Sequence, residues 1–132
     1  MSTIIQPDGW VPPRGFSNGV VASGRLCFIA GQIGWNPRLA TPTLPSDFAG
    51  QFEQALANVL EVLAAAGGQP DQLTRLTVYV TDKREYLASA KACGLAWRKL
   101  MGRHYPAMAL VQVVALVEDL AKVEIEATAV LP

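Results

Sequence analysis

The stretch DFAGQFEQALANVLEVLAAAGGQPDQLTRLTVYV, residues 47–80, reads as a helix, a stop and a strand in succession. Phe48, Phe52, Ala55, Leu56, Val59, Leu60 and Leu63 recur at steps of three and four, which places them on one stripe of an amphipathic helix. Ser46 or Asp47 is suited to cap the free N–H groups at its start. Gly67-Gly68 suits its end, because glycine accepts the left-handed conformation that closes many helices. Leu73 to Val80 is rich in β-branched residues and partly alternating, and so reads as a strand.

The pattern continues on both sides. Thr81-Asp82 leads into a second helix whose stripe is Tyr86, Ala90, Cys93, Trp97 and Leu100, and Gly102 stops it. Ala109 to Leu116 and Val123 to Val130 read as two strands, apolar at nearly every position, a pattern expected of strands buried on two faces. Upstream, residues 1–15 read as an extended lead-in. Asn18 to Ala22 and Leu26 to Ala30, joined by Ser23-Gly24-Arg25, read as a β-hairpin. Residues 31–46 hold several Pro and Gly and read as a loop. The expected order is β-β-α-β-α-β-β, an α+β fold in one domain spanning residues 1–132. Two helices would cover one face of the sheet, and a neighbouring subunit is the simplest cover for the other.

Composition narrows the function. Only 17% of the 132 residues are charged, eleven basic against eleven acidic, and the basic residues are scattered. Nucleic acid binding, which needs clustered Lys and Arg to neutralise phosphates, is a poor fit. No run of about twenty apolar residues would span a membrane. The first residues, MSTIIQPDGW, lack the basic and long apolar regions of a secretory signal, so a cytoplasmic location is expected. Cys27 and Cys93 lie in different elements without CxxC spacing and read as reduced, buried small hydrophobes. With His104 the only histidine, no conventional zinc site is available, and no metal is expected.

Several local motifs, in this order, resemble the reactive-intermediate deaminase family (Rid, YjgF-like, endoribonuclease L-PSP-like) across nearly the whole chain. They are Gly15 to Val20, Ala30 to Pro37, Gln51 with Asn58, Ala65-Ala66-Gly67, Thr77 to Asp82, Tyr105-Pro106-Ala107 and Val123 to Val130. The resemblance implies a chorismate-mutase-like (bacillary type) α+β fold and a homotrimer with sheets packed around the threefold axis. It also implies small-molecule sites in clefts between subunits, and cofactor-free hydrolysis of reactive imines and enamines to carbonyl compounds and ammonia. In active members an arginine after the Pro-Ala pair grips the substrate carboxylate through its planar fork. Met108 stands at that position here, Phe16 stands for a family tyrosine, and Lys91 for an asparagine. Glu124 matches the glutamate that positions or activates water, and Gly31 matches the glycine at which the backbone lies close to the ligand.

Each candidate carries two readings. Glu124 is either the acid/base for water attack at an imine carbon or a rim carboxylate; Glu126, in phase with it, reads as structural. Met108 and Phe16 either make the ligand pocket more apolar, suiting an aromatic or longer substrate, or simply pack. Trp35 stacks on a ligand or anchors its loop. Lys91 supplies the missing positive charge or is solvated. Arg103 and His104 add charge or proton transfer, or only cap. The function that follows is hydrolysis of a small imine or enamine metabolite, with a substrate other than 2-aminoacrylate. The alternative is a non-catalytic binding or regulatory trimer that uses the same clefts. Neutral charge argues against a ribonuclease.

Overall fold

The computed structural model of the protein describes residues 2–132. Its elements are β1 (Ser2–Ile5), β2 (Gly19–Ala22), β3 (Arg25–Ile33), α1 (Phe48–Ala65), β4 (Leu73–Val80), α2 (Lys83–Ala88), α3 (Ala90–Met101), β5 (Ala107–Gln112) and β6 (Val123–Leu131). Four strands form one sheet in the order β3-β6-β4-β5. β6 runs antiparallel to both of its neighbours, and β4 and β5 are parallel, joined by the crossover through α2 and α3. The α+β class and the helix-on-one-face arrangement expected from the sequence are present.

The sheet is one-sided because β6 alternates strictly. Val123, Ile125, Ala127, Ala129 and Leu131 are buried, while the residues between them are half-buried on the opposite face. The buried set meets Leu76, Val78 and Val80 of β4 and the stripe Phe48, Phe52, Ala55, Leu56, Val59 and Leu63 of α1 in one cluster. α1 begins where Asp47 accepts the Gly50 N–H in the expected cap. It ends in a paired closure. The Gly68 N–H reaches Leu63 O at 2.9 Å, the Gly67 N–H reaches Ala64 O at 2.9 Å, and Gly67 sits at φ 85°.

The structure corrects the sequence reading at four places. The expected hairpin of residues 18–30 does not form: β2 pairs with β1, drawn from the stretch read as a lead-in, and β3 pairs with β6 about a hundred residues away. The Ser23-Gly24 turn therefore hands the chain from a two-stranded ribbon to the main sheet. Local turn chemistry predicts a bend but not which partner each flanking strand takes. The single second helix is two, α2 and α3, separated at Ser89. β5 ends at Gln112; the Val113 N–H still reaches Val80 O of β4 (2.8 Å), and Val114 to Leu116 leaves the sheet. Nor is β5 buried on both faces: Ala109, Val111 and Gln112 are exposed in the chain by itself. Finally, Cys93 is buried but Cys27 only partly so; both are free thiols.

Two buried amides on α1 fasten the loops. Gln51 donates to Pro45 O (2.9 Å) and Leu120 O (3.0 Å) and accepts from the Lys122 N–H (2.8 Å). Asn58, two turns on, donates to Ile33 O (3.2 Å) and Trp35 O (2.9 Å). Among the described residues, no helix is long and apolar enough to cross a membrane. Replacing Gln51 by Leu should cost about 2–4 kcal/mol, because three backbone groups lose a buried partner while little volume changes. Urea unfolding of Gln51→Leu beside Gln51→Glu measures it.

Candidate functional site

The sheet divides the candidate residues into two groups. The first lies on the face away from the helices. Glu124 sits opposite Tyr79 of β4 and Ile33 of β3. The backbone of Gly31 passes directly over its carboxylate: a Cβ there would lie 2.5 Å from Glu124 Oε2 and 2.8 Å from its Cδ. Ile29 pairs with Ala127 and Gln32 with Ile125, so a bulge at residues 30–31 brings this glycine inward. No side chain among the described residues donates a hydrogen bond to the Glu124 carboxylate, which leaves its oxygens free for a water or ligand. Its neighbour Glu126 is engaged: the Tyr79 hydroxyl donates to Glu126 Oε1 at 2.5 Å, and this bond to a carboxylate raises the phenol's pKa and keeps its proton in place.

The second group lies at the other edge of the sheet. Met108 and Leu110 of β5 point to the helix side, beside Leu76 and Val78. A cavity of about 570 Å³ opens there between β5 and α2–α3. Met108 and Lys91 both line it. Phe16 reaches Met108 from a second, smaller hollow. It is held there because Ser17 docks on the outer edge of β5, its N–H donating to Pro106 O (3.0 Å) and its hydroxyl to Tyr105 O. Cys93 also faces the cavity, and burial pushes its thiol up to about 11, so it remains protonated at neutral pH and is no nucleophile.

The structure therefore brings together Gly31 with Glu124, and Phe16 and Lys91 each with Met108. It does not bring the two groups together within one chain: β4 lies between them, Met108 and Lys91 stand on the helix side of the sheet and Glu124 on the other, while Phe16 sits at the β5 edge in a hollow lined by Arg75, Ala107 and Ala109. Trp35 joins neither group. Its carbonyl is held by Asn58, and its ring is half-buried in the loop. His104 is a clasp, its Nε2 on Leu73 O at 2.7 Å and its own carbonyl accepting from Trp97 Nε1. Arg103 is exposed. The sequence reading missed Arg14 and Arg98, which stand at the cavity with Lys91. The seven-residue spacing of Lys91 and Arg98, two turns of helix, was the available signal. Among the described residues no cluster of His, Cys, Asp and Glu is gathered as for a metal ion.

This fold has counterparts among known proteins. The family model described as Endoribonuclease L-PSP matches residues 10–131, and the chain belongs to that family, the Rid or YjgF proteins. It is 36% identical over 107 residues, 81% of this chain and 80% of the other, to the 2-iminobutanoate/2-iminopropanoate deaminase of Escherichia coli K12. Among solved structures it resembles the Rid-family protein YyfB of Yersinia pestis, a protein of unknown function, with TM-score 0.85, 36% identity and 98% of each chain covered. It also resembles E. coli TdcF with bound serine, with TM-score 0.70, 31% identity, and 98% of this chain and 99% of that one covered.

Gly31→Ala should keep the fold, since only the far end of a flexible side chain stands in the way, but should swing the Glu124 carboxylate aside. A crystal structure of the variant showing Glu124 unmoved would contradict this placement.

Proposed function

We propose that the protein is a cofactor-free hydrolase of 2-imino acids or their enamine tautomers, and that its working unit is a homotrimer. The observation that carries the reading is the Glu124 carboxylate, left without a protein donor beneath the Gly31 backbone, in a chain that is 36% identical to an imine deaminase. Glu124 takes a proton from water as the water oxygen adds to the imine carbon, and the imine nitrogen gains that proton. The tetrahedral carbinolamine then collapses: its hydroxyl proton passes to nitrogen, the C–N bond breaks and ammonia leaves a 2-keto acid. One water is consumed, and no electrons are transferred to or from the protein.

The trimer is supported by two features of the single chain. The sheet face carrying Glu124 also presents Phe28, 74% exposed, and Leu26, 60% exposed, and the loop after β5 holds Val114 and Val117 fully in solvent. Apolar surface of this kind is usually covered by a partner. The two groups of site residues, separated within the chain, become one site if the Glu124 face of one subunit meets the Met108 edge of the next. Gly31 and Glu124 then supply the reacting end, while Phe16, Lys91 and Met108 hold the rest of the substrate.

The second reading, a non-catalytic binding trimer, is favoured by one observation: Met108 cannot form the bidentate pair that the family arginine makes. Ammonia release from 2-iminopropanoate generated in situ separates the two. The deaminase reading expects turnover by the wild type, reduced about a hundredfold or more in Glu124→Gln. Wild-type silence with activity gained in Met108→Arg would mean a competent scaffold whose own ligand is different. Silence in all three proteins would remove this three-carbon imine as a substrate and favour the binding trimer. Light scattering should give three times the chain mass, and Phe28→Glu should lower it; a stable monomer removes the shared-cleft account.

A further inference from the structure

We infer that the cavity between β5 and α3 selects a carboxylate with an aromatic body, held by helix cations in place of the strand arginine. This rests on the deaminase reading only for its second half, the turnover of an aromatic 2-imino acid; the binding half stands without it.

Charge is the first argument. Lys91, Arg98 and Arg14 all line this cavity, and no acidic side chain does. The ion pairs of the described residues involve other cations, Arg38, Lys99 and Lys122. Three cations without carboxylate partners around one concavity create a positive potential that draws in an anion. Lys91 and Arg98 lie two turns apart on one side of α3, so a carboxylate can rest across both.

The lining is the second argument. Phe52, Tyr86, Trp97 and Tyr105 line the cavity beside Met108 and Leu110. Trp97 and Tyr105 are stacked, with ring centroids 5.8 Å apart and planes 7° from parallel, and so form a rigid aromatic wall. A volume of about 570 Å³ falls within the usual range for small-molecule sites. A three-carbon imino acid would leave much of this surface wet, whereas a ring would cover it.

Gly94 is the third argument. It stands in the middle of α3, between Lys91 and Arg98, and lines the cavity. A glycine inside a helix is destabilising relative to alanine. Nothing lies within 4 Å of the place where its Cβ would be, so no packing neighbour requires it. Within the chain, its missing side chain keeps the space between the two cations open.

The test uses titration calorimetry with phenylpyruvate and pyruvate, the keto-acid products, and ammonia release from the imines of phenylalanine and alanine generated in situ. Phenylpyruvate should bind at least tenfold more tightly than pyruvate. Lys91→Met and Arg98→Met should each weaken it roughly tenfold and flatten its salt dependence. Gly94→Leu should melt no lower than wild type yet lose phenylpyruvate binding. Equal affinity for the two keto acids, or full binding by Gly94→Leu, overturns the assignment of the cavity. Phenylpyruvate binding without turnover of either imine leaves the cavity standing and removes the deaminase reading. Faster turnover of the alanine imine than of the phenylalanine imine retains the deaminase and overturns the substrate class.

Discussion

The side-chain amide of Gln51 is the constraint on which the arrangement turns. It is a polar group on the buried stripe of α1, 1% exposed, and each of its hydrogen bonds goes to the backbone of a loop rather than to another side chain. It ties the segment before α1 to the segment before β6. Asn58 does the same for the segment after β3. A buried amide left unpaired is costly, so closing the loops on the helix and packing its stripe into the core favour one another. The Lys122 N–H that Gln51 accepts lies two residues before Glu124, so the amide also anchors the entry to the strand that carries it.

The parts of the fold legible in the sequence were those set by local periodicity. The α1 stripe, its Asp47 cap, its glycine stop and β4 all lie where side-chain spacing puts them. What was not legible was partnership. Residues 2–5 carry too few residues for a periodic signal and become a strand only because β2 offers an edge. The chain from 114 to 116 is as apolar as a buried strand but lies outside the sheet, because composition records a preference for burial and not what performs it. The break at Ser89 leaves the helical stripe in phase on both sides, so periodicity alone could not reveal it.

For the candidate site the limits were of the same kind. Glu124, Gly31, Met108, Phe16 and Lys91 were found by their likeness to a family pattern. That they fall in two separate groups follows from the pairing of β4 with both β5 and β6, which no single segment encodes. Arg14, Arg98 and Gly94 lie outside that pattern. Their importance comes from surrounding one space, and a space between elements has no sequence of its own.

β6 has a further consequence. It comes after every other strand in the chain, yet it occupies the interior of the sheet, between β3 and β4. Before it arrives, β3 has no hydrogen-bonding neighbour in the main sheet, and β4 has only β5. A chain emerging from the ribosome would therefore hold α1, with its apolar stripe formed, over an incomplete floor until residues 123–131 were free to insert. Non-local pairing of this sort delays folding, and the half-made domain would show its hydrophobic surface to chaperones or to other nascent copies. The carboxylate proposed for catalysis rides on that last strand, so a form in which β6 has not yet inserted lacks the site.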